Sequence, residues 1–279
     1  MKLLNKGFVL GMAMVWSLAP AASHAAAEPT GAEVYEHCNV KYPGEDQRSR
    51  LSIILRDKDN NEKKNVYRRF WKGYKGKDGV FDKMVLFTEF PPDARGAAFM
   101  RWAYTDQTDK NADQWIYLPV LKKIRRVSVR DPGDSFLGSD LTYADISDNP
   151  INPGRHKLLR RMEKGDMEVF GVETVPTNPD KALYSRVITW FTRNGASWDS
   201  CHKRQVDYYD KRGEPLKQQF IKWQRVGKAW VWDEVLVRNV QTGHSSVFQV
   251  SDVEINVDLD EEVFTERALR LGARRAESR

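Results

Sequence analysis

From Leu51 to Leu259 the chain repeats one device: a run of alternating apolar and polar residues, closed by turn formers such as Asp57-Lys58-Asp59-Asn60-Asn61, Lys77-Asp78-Gly79, Asn194-Gly195, Asp210-Lys211-Arg212-Gly213 and Thr242-Gly243. Successive side chains of a strand point to opposite faces, so this pattern specifies antiparallel strands joined in chain order. Leu51 to Arg56 and Asn65 to Tyr74 form a hairpin, followed by strands at Phe81 to Phe90, Ala97 to Tyr104, Gln114 to Leu118 and Glu168 to Val175. Tyr184 to Thr192, Trp198 to Tyr209, Leu216 to Val226 and Trp230 to Val240 read as a meander. Asn149 to Arg155 reads as loop. Between Val247 and Leu259 the apolar positions change phase, from Phe248 and Val250 to Val253, Ile255, Val257 and Leu259, which a bulge near Ser251 explains. One helix is expected after Thr30, where Thr30 and Glu33 have capping-box spacing, ending before Pro43-Gly44. The fold class is therefore mainly β with a few helices (α+β), a strongly curved antiparallel sheet or incomplete barrel.

One segment breaks the pattern. After Trp115-Ile116-Tyr117-Leu118-Pro119 and a mixed basic strand, the apolar insert Phe136-Leu137-Gly138-Ser139-Asp140-Leu141-Thr142-Tyr143-Ala144-Asp145-Ile146 lies between Asp131-Pro132-Gly133 and Asn149-Pro150. Such an insert interrupts a sheet rather than extending it. We read it as a lid over an apolar concavity.

The N-terminus reads as a secretory leader, with Lys2 and Lys6, an apolar run from Gly7 to Leu18 too short to span a bilayer, and cleavage near Ala25. No cysteine follows the apolar run to accept a lipid, and no later stretch is long enough to cross a membrane, so the expected product is exported and soluble. Residues 26–279 are expected to form one domain, since all-β folds reach about 250 residues without splitting, with a short basic tail from Arg270 to Arg279. Removing the leader lowers the formal charge from +6 to about +4. That small excess does not single out a polyanionic partner. The clusters Lys122 to Arg126 and Arg155 to Arg161 read first as solvated strand or loop faces, with anionic headgroups or a membrane protein as the alternative.

Cys38 and Cys201 would meet an oxidising compartment and are expected to pair. Their neighbours His37 and His202 formally complete a two-Cys, two-His zinc set. Adjacent side chains of a strand diverge, however, so Cys201 and His202 could hardly share an ion, and no metal or cofactor is expected.

Catalytic motifs are missing: none of His37, His156, His202 and His244 sits in a hydrolase or metalloprotease motif, and no phosphate loop, dinucleotide fingerprint or haem-attachment site occurs. Gly138-Ser139-Asp140 lacks an identifiable base, so Ser139 and Asp140 read as cap or turn residues. The acids Asp258, Asp260, Glu261 and Glu262 read as a solvated turn. Eight of the nine tryptophans lie beyond the leader, and for each of these the first reading is core packing. Together, Trp115 with Tyr117, Trp190 with Phe191, and Trp230 with Trp232 either fill the sheet's concave side or line a cavity that a ligand fills. Aromatic residues beside basic ones also serve nucleic-acid binding, which the export signal sets aside.

Trp115-Ile116-Tyr117-Leu118-Pro119, Lys122 to Arg126 and Phe136 to Ile146 resemble the outer-membrane lipoprotein-sorting proteins of the LolA-like superfamily, and Tyr184-Ser185, Tyr209 to Gly213, Lys217 and Asn256 to Leu269 extend the likeness over most of the chain. The resemblance implies an unclosed antiparallel β-barrel around a hydrophobic cavity under a helical or loop lid. It also implies a periplasmic, non-enzymatic carrier of a lipid or lipoprotein acyl chain between inner and outer membranes, working with a resistance-nodulation-type exporter and an outer-membrane acceptor. The chain is longer than the classical carrier, and its cysteine pair is not part of the motif. A soluble shuttle must bury each acyl methylene, at about 0.8 kcal/mol, and still release it, which calls for a cover that opens without unfolding the sheet. On this reading Phe136, Leu137, Leu141, Tyr143 and Ile146 close over the cavity, Trp115, Tyr117, Trp230 and Trp232 contribute to its wall, and Gly138, Ser139, Asp140 and Asp145 shape the lid. The alternative is a non-enzymatic accessory subunit of an envelope export complex, its concave side plugged by its own side chains.

Overall fold

The computed structural model describes residues 28–39, 41–105, 108, 110, 112–128, 133–146 and 154–274. The expected leader, Asp131-Pro132, Asn149-Pro150 and the end of the basic tail lie outside these. The strands are β1 (Asp46–Arg56), β2 (Glu62–Gly73), β3 (Val80–Phe90), β4 (Ala98–Tyr104), β5 (Asp113–Leu118), β6 (Lys123–Ser128), β7 (Gly154–Lys164), β8 (Met167–Pro176), β9 (Arg186–Asn194), β10 (His202–Tyr209), β11 (Pro215–Val226), β12 (Ala229–Asn239) and β13 (Ser245–Ile255). They form one antiparallel sheet in the order β6-β5-β4-β3-β2-β1-β13-β12-β11-β10-β9-β8-β7. Every neighbour is consecutive in the chain except β1 and β13, which pair through Leu51 with Val250 and Ile53 with Phe248. That pairing joins two meanders back to back and leaves β6 and β7 as free edges, so the barrel is unclosed. Exposed charges along both edges, Lys123 and Arg125 on β6 and Arg160 and Arg161 on β7, discourage strand addition.

Two local expectations are corrected and a third holds. Gly154 and Arg155 open β7 rather than belonging to a loop, because the basic run that follows alternates half-buried and exposed positions along an edge strand. Trp198 does not begin a strand: Trp198–Ser200 is a single 3-10 turn, and β10 starts at His202. The phase change lies at Asp252 (φ 51°), where the β1–β13 register slips by one residue, next to the expected Ser251. The same change carries the chain off the sheet. Beyond Ile255, the backbone N–H groups of Val257 and Leu259 donate to the Asp46 carboxylate at 2.7 and 2.9 Å. Leu259, Val263, Phe264 and Leu269 of the C-terminal segment then pack with Phe70, Val85, Phe87 and Met100 on one face of β2, β3 and β4.

The opposite, concave face carries the main core: Leu51, Ile53, Tyr67, Met84, Leu86, Phe99, Ile221, Val235 and Phe248. Two segments cover it. Helix α1 (Gly31–Asn39) opens with the expected capping box, Thr30 Oγ1 accepting from Glu33 N and Glu33 Oε2 from Thr30 N at 2.7 Å. It seats Val34 and Cys38 against Phe170, Val172 and Phe191, and Cys38 is bonded to Cys201 with their Cα atoms 5.1 Å apart. A zinc set is thereby excluded for these two sulfurs. Gly31 must lack a side chain, since a Cβ there would lie 2.4 Å from the Leu158 backbone nitrogen. The second cover is the insert between β6 and β7, described over residues 133–146.

Candidate functional site: a lidded cavity on the concave face

Alternating strand direction puts the starts of β1, β3, β10 and β12 at one end of the sheet, the base, and the starts of β11 and β13 at the other, the lid end. Between α1 and the insert lies a cavity of about 350 Å³, within the range of roughly 300–1,000 Å³ that small-molecule sites occupy. Its aromatic and aliphatic wall includes Trp71, Met84, Trp223, Trp230, Trp232 and Phe248. Trp230 and Trp232 therefore sit where the sequence places them. A register shift in β11–β12, where Lys222 faces Glu234 but Trp223 faces Trp232, brings Trp232 into the same core as Val235 and Val237.

Trp115 and Tyr117 do not reach the cavity. On β5, Ile116 pairs with Phe99 on the concave face, whereas Trp115 pairs with Met100 and packs with Tyr117 into the cluster beneath the C-terminal segment. Trp115 meets Trp102 with ring centroids 5.2 Å apart. Both faces of β5 are covered, so its alternation could not say which face turns inward. Trp71 and Trp223 take their place. The sequence singled out neither, and only their shared face with Tyr67 and Ile221 marks them.

The insert lies on the concave core. Phe136 and Leu141 are buried there, and Leu137, Tyr143 and Ile146 pack against it half-buried. Phe136 stacks near Phe248 at 6.5 Å and meets Tyr143 edge-on at 5.4 Å. Its tight turn depends on left-handed backbone at Leu137 (φ 52°) and Gly138 (φ 80°), the latter suited to glycine. Ser139 Oγ donates to the Phe136 carbonyl at 2.7 Å and accepts from Leu141 N, which is the turn role expected of it. Phe136, Ala144, Asp145 and Ile146 line the cavity directly; Leu137, Leu141 and Tyr143 stand behind them.

Two carboxylates pin this lid to the sheet. Asp145 accepts from Lys217 Nζ at 2.6 Å, from Tyr184 Oη at 2.9 Å and from Thr142 N at 2.7 Å. Lys217 also donates to the Asp140 carbonyl at 2.7 Å, and the Lys217 and Asp145 side chains are each only 3% exposed. Burial, reinforced by Asp145, pushes the Tyr184 phenol far above its ordinary range and keeps it a donor. Asp140 accepts from Ser246 Oγ at 2.5 Å and meets His244 Nδ1 at 2.7 Å. Asp, His and Ser are thus adjacent, but the carboxylate lies between the other two. A nucleophilic relay needs the imidazole to take the serine proton, so this arrangement serves attachment.

The base of the cavity is polar. Arg69 Nη1 donates to Gln47 Oε1 at 2.7 Å, and Gln47 Nε2 to the Pro43 carbonyl at 2.5 Å. Lys41 Nζ donates to the carbonyls of His37 and Trp198, and Lys203 Nζ to Asn39 Oδ1, each at 3.2 Å. Arg101 holds Asp82 at 2.8 Å in a buried pair. Burial lowers the Lys41 pKa, opposed by Asp199. Burial first, then Lys41 and Arg204, pulls the His202 pKa from 6.5 to about 4.

A family model described as that of an uncharacterized protein matches residues 81–271. No curated protein matches the chain. Among solved structures, a domain assigned to the outer membrane lipoprotein-sorting proteins, from Vibrio parahaemolyticus, is 25% identical with a TM-score of 0.68, over 86% of this chain and 96% of that one. A DUF1329 family protein from Desulfovibrio piger is 20% identical with a TM-score of 0.70, over 86% and 95%. A LolA superfamily protein from Nitrosomonas europaea is 18% identical with a TM-score of 0.61, over 86% and 100%. The chain belongs to the family of that model, and its unclosed thirteen-stranded sheet with a covered concave face has the LolA-like fold of these structures.

Proposed function

We propose that this protein is a periplasmic carrier that takes a lipid, or the acyl chains of a lipoprotein, into the concave cavity and shuttles it between the inner and outer membranes. The observation that carries the reading is an apolar cavity covered by a segment that belongs to no strand and is fixed by side-chain contacts at Asp140 and Asp145. Release of those contacts frees the cover while all the strand pairing stays intact. In this mechanism Phe136, Leu137, Leu141, Tyr143 and Ile146 leave the concave core, and an acyl chain takes their place against Trp230, Trp232, Trp71 and Trp223. At about 0.8 kcal/mol per methylene, a chain of ordinary length offsets the burial those five side chains give up. The donor we infer is an inner-membrane exporter of the resistance-nodulation type, and the acceptor an outer-membrane protein. The reading is non-enzymatic: the cavity receives, holds and releases.

The second reading, an accessory subunit that carries nothing, is favoured by one observation: Phe136 and Leu141 already fill the centre of the concave core. Native mass spectrometry of protein purified mildly from its own envelope, with solvent extraction of bound material, separates the two. Stoichiometric lipid or acylated protein supports carriage. Protein that is free of lipid and also fails to take up a fluorescent fatty acid supports the accessory subunit.

A further inference from the structure

Most turns between the strands use Asp, Asn, Gly and Lys, residues that suit tight backbone and water. The β5–β6 turn, at the lid end, does not. Leu121 N donates to the Leu118 carbonyl at 3.2 Å and Lys122 N to the Pro119 carbonyl at 3.1 Å, which fixes a tight hairpin. Its tip is aliphatic: Val120 is 88% exposed and Leu121 50%. The β3–β4 turn stands beside it, since a Cβ on Gly96 would come within 3.9 Å of Pro119, and it begins with Phe90, 42% exposed. A lone exposed aliphatic side chain is ordinary, but several on adjoining turns make an apolar patch. Cations surround this one. Arg95 on the β3–β4 turn and Lys122, Lys123 and Arg125 at the start of β6 are exposed, with no acid in ion-pair contact among the described residues. Of the acids on these two turns, Glu89 is held by Arg50 and Arg68, which leaves Asp93. At the base, by contrast, exposed Tyr42 is turned to an acid, its hydroxyl donating to Glu45 at 3.3 Å.

We propose that this rim is a docking surface for a bilayer containing anionic phospholipid. Val120 and Leu121 enter the interfacial layer, Phe90 lies at its edge, and Arg95, Lys122, Lys123 and Arg125 meet the lipid phosphates. A turn already fixed by its own hydrogen bonds presents the aliphatic pair with little loss of freedom. Each basic side chain held at an anionic surface strengthens attachment about fivefold. So few groups make a reversible contact, as a short apolar anchor beside a basic patch does. Docking by this end brings to the membrane the side of the sheet where Lys217 and Ser246 fasten the lid, and leaves the base turned to water. The contact does not depend on what the cavity holds.

The test attaches a polarity-sensitive fluorophore to Val120→Cys or, separately, to Tyr42→Cys in the full exported protein, whose own cysteines are bonded to each other. Vesicles of phosphatidylcholine, with or without phosphatidylglycerol, are then added. With the anionic vesicles the label at the Val120 site is expected to shift to the blue, while the label at the Tyr42 site keeps its aqueous spectrum. Sedimentation should show binding at least about tenfold tighter to anionic than to neutral vesicles, an advantage that shrinks in roughly 0.5 M salt. Val120→Asp should weaken that binding about tenfold, and Lys123→Gln with Arg125→Gln about twentyfold. Both variants should melt with the wild type, since every side chain replaced is exposed. Equal shifts at the two labels, or binding that salt and the variants leave unchanged, overturns the proposal. A shift at the Val120 site that needs no vesicles and grows with protein concentration assigns the patch to a second copy of the chain and overturns it. Absence of binding to either kind of vesicle leaves the rim to solvent or to a protein partner, with the same result.

Discussion

The concave face has two covers, attached by different chemistry. Helix α1 is capped by its own Thr30–Glu33 box, pressed against β7 at Gly31 and bonded through Cys38 to Cys201. The lid has no covalent tie among its described residues; a buried Lys217–Asp145 pair, Tyr184, and the Asp140 contacts to Ser246 and His244 hold it down. A disulfide acts mainly on the unfolded chain and gives no easy route to an open state. A buried ion pair is different. It contributes little net stability over an apolar replacement, yet is costly to break halfway. One cover is thus tied covalently and the other by a defined set of side-chain contacts, the difference that the proposed carrier mechanism requires.

The largest effect should come from cutting the lid's ion pair on one side. Lys217→Met strands Asp145 in an apolar setting, at a cost of about 3–5 kcal/mol. Amide hydrogen exchange should show residues 135–146 losing protection while α1 keeps its own. Adding Asp145→Leu should restore most of the loss, and an α1 that loosens in step with the lid would end the distinction between the covers. Removing the staple, Cys38→Ala with Cys201→Ala, should cost about 2–5 kcal/mol, read as a melting shift of roughly 2–4 °C per kcal/mol. Here exchange should rise in α1 and leave the lid as it was.

Acid should act on the base, beside α1. His202 binds its proton near pH 4 when folded and near 6.5 when unfolded. Between those values the unfolded chain carries the extra proton, so stability is intact above about pH 6.5 and falls as the pH drops toward 4. The loss approaches about 3 kcal/mol. Denaturant titrations across this window should show that slope, and His202→Phe, which keeps a ring beside Trp230, should flatten it.

How much of this could be read beforehand depends on range. The α1 cap and the turns are local and were legible, because Thr30 with Glu33 and pairs such as Asn194-Gly195 need only their neighbours. The Asp252 bulge showed through as a change of apolar phase. β7 did not, since a basic edge strand lacks the buried stripe that marks one. At Trp115 and Tyr117 strand and burial were legible but the face was not, because the C-terminal segment covers the side opposite the lid. The residues that hold the lid were least legible: Lys217 follows Asp145 by 72 positions and His244 follows Asp140 by 104. Lys217 figures in the family likeness, but only its place on an inward stripe, sharing a strand face with Gln219 and Ile221, could have marked what it does.

The smallest change tests the closure most directly. Tyr184→Phe keeps the ring that packs on Tyr208 at 4.8 Å and faces Lys217 at 5.3 Å, and removes only the hydroxyl that donates to Asp145. Asp145 still receives Lys217 and Thr142 N, so the cost should be about 0.5–1.5 kcal/mol. If the closed lid and an acyl chain compete for the same concave surface, that loss transfers directly to the ligand: lid exchange and fatty-acid affinity should both rise by up to about tenfold, by the same factor. α1 should not respond. A variant whose lid loosens without any gain in acyl binding would mean that lid and ligand do not share the surface, and Phe136 and Leu141 would then be a permanent plug.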